Sequence, residues 1–509
     1  MAPAIPDTPA MAPGYDPSPW GDFFTEYEPQ QQQWSEQWMI VRADKLNEDA
    51  RMLFKTCNSM ATRISLVDTL EHLGIDHHFE KEINEALIKI LESQFSNSSL
   101  GEVALGFRLL REHGHWVSPD VFNKFKGEDG SFNTDITNDA RGLLCLYNAA
   151  HLLINGEPTL EEAKAFARHH LELMSEYSED ELHNPMLLEL AKLDFNLLQH
   201  VHLKELKTIT EWWNKFSRNI GLSYIRSRIV ESYTWAYVVY HEKDFKLPRS
   251  IITKMIVIIT TLDDTYDIQA TIEEFRKLHE AIQRWDEDAI SILPEYMKNL
   301  YLELLRTFKD IEVQVPIGMD YDISYLKKSI QDHVTGYLQE AEWAHKNYNP
   351  SFKEQVDLTS LTIGAPTLSV SVVAGMNDAI MKRALEWASS VPTVVTSAGR
   401  IVRFMNDIGA FKRRKCKGDA ASSVECYIHE HGVSEEWIDT SAVGDTDHYK
   451  TLGTRRDASK VEFKPAFSRL SLHHPSATPR TMSPPMSASP AASARRSTPT
   501  TSSMMMMPR

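Results

Sequence analysis

The sequence predicts an all-α fold arranged as two helical domains. Apolar residues recur at three- and four-residue steps almost throughout Gln33 to Gly432. No alternating stretch is long enough for a useful strand, and turn-forming clusters punctuate the periodic runs at helix-sized intervals. The chain has 509 residues, 42% of them hydrophobic. Single cores rarely grow past ~250–300 residues, so more than one domain is required.

Residues 1–16 read as a flexible Ala- and Pro-rich start. Pro17, Pro19, Trp20, Phe23 and Phe24 then form a strap able to pin itself against a folded body. Leu66, Leu70 and Leu73, followed by Phe79, Ile83, Leu87 and Ile90, mark buried helix stripes. Turns are expected at Gly74-Ile75-Asp76, Ser96-Asn97-Ser98, Gly127 to Gly130 and Asn155 to Pro158. Ser118-Pro119-Asp120 should start one helix, and Thr159 with Glu162 should form a capping box on another. The first domain is expected over 17–215 and the second over 216–438. From 439 to 509 the helical period fades. Lys464 to Arg509 contains Lys464, Arg469, Arg480, Arg495, Arg496 and Arg509 but no Asp or Glu, and is Ser/Pro-rich, which reads as a disordered tail.

A formal net charge of -17 argues against nucleic-acid binding, which needs a basic face. Cys57, Cys145, Cys416 and Cys426 show neither metal spacing nor disulfide density, as in a reducing compartment. The start has no signal- or transit-peptide character. The apolar run Met255 to Leu262 falls far short of the ~20 residues a membrane helix needs. A cytoplasmic monomer without a membrane span is expected.

The strongest chemical signal is Asp263-Asp264-Thr265-Tyr266-Asp267. On a helix, Asp263 and Asp267 lie one turn apart, above Ile256, Ile259 and Thr260 on the same face. Hard oxygen ligands at the lip of an apolar shaft suit Mg²⁺ bridging to phosphate, although a solvated acidic helix end has the same pattern. Arg226-Ser227-Arg228 offers guanidinium forks for phosphate oxygens, or a surface pair. Arg403, Asn406 and Asp407 share one helical turn, either as a site or as a hydrogen-bond cluster. His77-His78, His169-His170 and His473-His474 lack a partner at metal spacing and read as surface or local hydrogen-bonding residues.

Together these motifs resemble the plant class I terpene synthases, in particular the cytosolic sesquiterpene synthases. The resemblance rests on the aspartate motif, on Thr271-Ile272-Glu273-Glu274-Phe275, on Ala281 to Asp286, and on Arg226 to Trp235. In the amino-terminal half it rests on Leu73 to Ile83 and Phe107 to Gly114, and it runs from about Pro17 to Val433. It implies Mg²⁺, or Mn²⁺, held by Asp263, Asp267 and Asn406, with Asp264 in the same catalytic motif. A prenyl diphosphate, farnesyl diphosphate by preference over geranyl, would be gripped by Arg226, Arg228, Arg403, Asn406 and the metal-binding acids. Trp235 would face the carbocation, and Thr362 to Thr367 would be a broken helix whose carbonyls steer it. The absence of an arginine pair ahead of Trp20 favours the farnesyl substrate. The absence of an Asp-x-Asp-Asp motif disfavours protonation-initiated cyclisation.

Two departures from the family pattern stand out. The second metal motif begins at Asn406 but continues with Ala410 and Arg414, where the family has a hydroxyl residue and Glu. Asp407 could replace part of the loss. The helices expected after Glu436 are replaced by the tail. Weak or absent activity follows, making a catalytically impaired truncated synthase the first alternative. A prenyl chain-elongating transferase is the second, although its second aspartate-rich motif is missing.

Overall fold

A computed structural model describes residues 18–27, 35–93, 95, 98–174, 184–268, 270–314, 323–376, 381–413 and 422–432. The expected flexible start, Cys416, Arg414 and the expected tail lie outside the described residues. The described chain contains eighteen α-helices and no strand ladder, with one isolated bridge between Lys126 and Phe132.

The chain divides into two compact units. One takes the described residues within 31–199, and the other takes those within 18–27 and 200–432. Helix α1 (Phe23–Glu26) belongs to the second unit. The first unit contains α2 (Glu36–Thr56), α3 (Met60–His72), α4 (Glu80–Glu92), α5 (Leu100–Glu112), α6 (Ala140–Ala150) and α7 (Pro158–Leu173). The division falls inside α8 (Pro185–Ile220), earlier than the sequence pattern suggests, because apolar periodicity carries this helix through without a break.

In the first unit, Leu66, Leu70, Phe79, Ile83, Leu87 and Ile90 all enter one core, as their spacing requires. Gly106 leaves room for the Phe95 ring, which a Cβ would meet at 2.5 Å. Two helix starts differ from expectation. Ser118 caps only a short 3-10 turn, Pro119–Phe125. Helix α7 starts at Pro158, not at a Thr159 box, because Pro suits the first helical position, where no N–H is needed. Glu157 before it pairs with Arg111 at 2.6 Å, and Glu162 turns to Lys126 at 2.7 Å.

The second unit holds α9 (Ile229–Val239), α10 (Lys246–Ile268), α11 (Ile272–Arg284), α12 (Glu295–Gln314), α13 (Ser324–His345), α14 (Phe352–Thr362), α15 (Ala365–Val373), α16 (Met381–Ser389), α17 (Thr393–Arg413) and α18 (Ser423–His431). Helix α10 packs against α9, α12, α13 and α15, so its Ile251, Met255, Ile258 and Leu262 are buried. The strap is pinned as expected: Phe24 enters the cluster of Ile209, Trp213 and Phe216 on α8. A buried network ties α8, α9 and α10 together. Arg249 forks onto Glu205 at 2.8 and 2.9 Å, and the Tyr233 hydroxyl donates to Glu205 at 2.9 Å. Paired in this way, the buried charges avoid the penalty of an isolated ion.

The expected helix break is present between α14 and α15. Gly364 adopts φ +96°, a region open to glycine. Pro366 has no N–H to give the Thr362 carbonyl. Phe352–Val373 is long and apolar enough to cross a membrane, but it carries the break and buries Gln355, Thr359, Ser360, Thr367 and Ser371. Those features mark a core element. Helix α17 crosses α14 so closely that a Cβ on Gly399 would lie 2.1 Å from the Ser360 carbonyl oxygen.

Gly399→Ala is therefore expected to force these helices apart and lower stability by ~1–3 kcal/mol, although alanine favours helix. Thermal melting followed by circular dichroism checks it.

Candidate active site

The apolar run of α10 ends at the aspartate motif. The Asp263 side chain is 23% exposed and that of Asp264 is fully buried. Arg226, in the segment before α9, lies against both. Its Nη2 donates to Asp263 Oδ2, its Nε stands 2.8 Å from Asp264 Oδ1, and its backbone N–H donates to Asp264 Oδ2 at 2.9 Å. The Arg226 side chain is only 5% exposed. Arg226 is thus first a counterion for the acids. Asp264 is the anchor of that loop, and Asp263 is the acid with an open side. Asp267 lies one turn further along α10, and its side chain is outside the described residues.

The end of α10 is fixed by its intervening residues. Thr265 Oγ1 donates to the Thr261 carbonyl at 2.7 Å. The Tyr266 ring stacks on Phe275 of α11 at 4.3 Å and lies 5.4 Å from Tyr337 of α13. Below Asp263, Ile256 and Thr260 are buried and Ile259 is half-buried, as the helical spacing requires. Arg228 sits at the N-cap of α9, where its Nη1 donates to the Ser227 carbonyl at 2.9 Å. Trp235 of α9 is 45% exposed.

The second group forms a buried cluster where α17, α14 and α18 meet. Arg403 Nη1 donates to Asp407 Oδ1 at 3.2 Å, and its Nε donates to the Thr359 carbonyl at 3.3 Å. The other Asp407 oxygen accepts from the backbone N–H and hydroxyl of Ser423, at 2.9 and 2.7 Å. This corrects the expectation that Asp407 could stand in for a missing metal ligand. Its carboxylate fastens the start of α18. Asn406 and Ala410 are half-buried on α17. Ala410 has no donor atom to offer.

The donor set fits a hard divalent cation on the α10 side: carboxylate oxygens, one partly open, with a guanidinium balancing charge. On the α17 side the fit rests on the Asn406 amide oxygen among the described residues.

His333 of α13 is a neighbour that sequence reasoning missed. It is buried, its two ring nitrogens have no hydrogen-bond partner among the described residues, and its ring meets Tyr337 edge-on at 4.5 Å. Burial pushes its pKa down to about 4, opposed only in part by the Asp263 charge. A lone histidine among Leu326, Ile330 and Val334 carries no sequence signal for this placement. Below its ordinary value of 6.5, His333 protonates in the unfolded chain but stays neutral in the fold until about pH 4. The native state should therefore lose about 3 kcal/mol as pH falls through that window. His333→Leu should raise the melting temperature and flatten the acid limb of a stability–pH profile by about that amount.

Comparison with known proteins agrees with this geometry. The profile of the terpene synthase N-terminal domain matches residues 19–192, and that of the terpene synthase metal-binding domain matches residues 214–438. Tau-cadinol synthase of Zea mays is 43% identical over 466 residues, covering 84% of this chain and 85% of that protein. Alpha-copaene synthase of Zea mays is 42% identical over 480 residues, covering 85% and 88%. The solved isoprene synthase of grey poplar (Populus x canescens), in complex with three Mg²⁺ ions and dimethylallyl-S-thiolodiphosphate, superposes with a TM-score of 0.70 at 28% identity. That match covers 86% of this chain and 94% of the other. Two domain profiles in series, and relatives matched over most of their length, show that this chain belongs to the terpene synthase family.

Proposed function

We propose that the chain ionises farnesyl diphosphate with Mg²⁺ and cyclises or rearranges the resulting cation to a sesquiterpene, as a cytoplasmic monomer. The observation that carries this reading is the arginine-braced pair Asp263 and Asp264 at the end of the buried apolar helix α10. The farnesyl substrate is supported by the similarity to sesquiterpene synthases. Mg²⁺ is supported by the oxygen donor set and by the metal in the related poplar structure.

Asp263, Asp267 and Asn406 would hold the ion. Bound there, Mg²⁺ supplies neutralising charge for the departing diphosphate. Arg226 balances the charge of Asp263 and Asp264 and fixes their aim. Arg228 and Arg403, at the start of α9 and on α17, add positive charge for the diphosphate. The allylic C–O bond breaks, its electron pair leaves with diphosphate, and a cation remains on the prenyl chain. The Trp235 ring stabilises that cation through its quadrupole, without bonding to it. The carbonyls freed at the α14–α15 break direct partial negative charge at it. Ile256 and Ile259 form an apolar wall that keeps water from quenching it. The cation ends by losing a proton to the released diphosphate, the base that the reaction itself supplies.

The second metal motif weakens this machinery. Ala410 contributes no ligand, and Asp407 is committed to Ser423. Slow turnover follows.

Incubation of the purified chain with Mg²⁺ and farnesyl diphosphate should yield volatile sesquiterpenes slowly, with Ala410→Ser increasing the rate. Asp263→Ala should cut diphosphate release by at least ~100-fold, the usual scale for losing a principal charge-stabilising group. Unchanged release would overturn the metal assignment. Longer prenyl diphosphates on adding isopentenyl diphosphate would favour a chain-elongating transferase instead.

A further inference from the structure

The first unit carries a second cluster of metal-ligand chemistry that the terpene reading does not use. His77 and His78 sit on the 3-10 turn Asp76–His78, between α3 and α4. Sequence gives them no partner, but the fold does. Asp194 of α8, distant in sequence, brings its carboxylate to the Nε2 edge of both rings. His78 Nε2 lies 2.8 Å from Asp194 Oδ1, and His77 Nε2 stands 3.7 Å from Asp194 Oδ2. The two imidazole centroids are 4.0 Å apart. One ligand atom from each of the three residues lies within 4.8 Å of the others.

We propose that His77, His78 and Asp194 form a binding site for a borderline divalent transition metal of the Zn²⁺ class, separate from the Mg²⁺ chemistry of the second unit. Two imidazoles and one carboxylate are the ligands Zn²⁺ takes when a fourth position is left to water. Mg²⁺ prefers an all-oxygen shell, so this donor set selects against it.

Two features favour a metal over a simple hydrogen-bond cluster. Asp194 is 8% exposed, so its charge is shielded from water. The turn itself is braced. Arg51 Nη2 donates to the His78 carbonyl at 3.1 Å and its guanidinium lies over the Phe79 ring at 5.6 Å. Both rings are therefore presented on a fixed backbone. A bound ion would join this turn to α8 within the first unit and stabilise that unit by mass action.

The test uses the full chain, stripped with EDTA and kept in excess Mg²⁺. It is titrated with ZnCl₂ by calorimetry and with CoCl₂ by visible absorption. One equivalent of Zn²⁺ should bind and raise the melting temperature, and Co²⁺ should give the intense visible bands of a tetrahedral site. Loss of a ligand should weaken Zn²⁺ by more than the ~10–100-fold that outer-shell changes cost. That weakening is expected in His77→Ala and Asp194→Asn but not in Asp263→Asn. His77→Gln serves if circular dichroism shows that either first-unit variant is unfolded. Equal Zn²⁺ binding in wild type and His77→Gln, loss of binding in Asp263→Asn instead, or only weak octahedral cobalt bands would overturn the proposal. None of these results bears on farnesyl diphosphate turnover, so the two readings fail separately.

Discussion

One guanidinium holds the candidate active site together. Arg226 binds Asp263 with one nitrogen and lies at ion-pair distance from Asp264 with another, while its own backbone N–H also goes to Asp264. Two adjacent carboxylates at the end of an apolar helix would otherwise cost several kcal/mol each in lost hydration. The arginine offsets that cost in a geometry lysine could not reproduce, because two fixed donors meet two fixed acceptors. The consequences reach along the chain. Asp264 fixes where the loop before α9 ends, and the start of α9 fixes the position of Trp235. The Glu205–Arg249 network then secures α9 from its other end.

The α17 side follows a different logic. Its charged pair, Arg403 and Asp407, is buried where three helices meet, and Asp407 is spent on joining them. A motif that should alternate ligands along one helix face has one amide, Asn406, then the methyl of Ala410. The two sides of the site are therefore unequal. The α10 side sets carboxylates beside a guanidinium, whereas the α17 side is well packed but poor in donors. On the proposed function, slow chemistry is the expected outcome of that asymmetry.

Much of this was legible in the sequence. The heptad-like spacing of Phe79, Ile83, Leu87 and Ile90 gave a core stripe, and the Gly364-Ala365-Pro366 break was visible because glycine and proline act locally. The aspartate motif was legible because a four-residue step is one helical turn. What stayed hidden was long-range pairing. Nothing in the sequence says that Asp407 meets Ser423, that Asp194 meets two histidines in the turn before α4, or that His333 lies buried near Asp263. The start of α7 was misread for a local reason: Pro158 and Thr159 both suit a helix start, and proline at the first position prevailed.

The central claim is that the acids at the end of α10 hold the metal that receives a prenyl diphosphate. A crystal structure of this chain with Mg²⁺ and a non-ionisable thiolodiphosphate analogue of farnesyl diphosphate tests it most directly. The account predicts Mg²⁺ on Asp263 and Asp267, diphosphate beside it, and the prenyl tail along Ile256 and Ile259 toward Trp235. Diphosphate bound elsewhere, or Asp263 still closed on Arg226 with no metal beside it, would contradict the account.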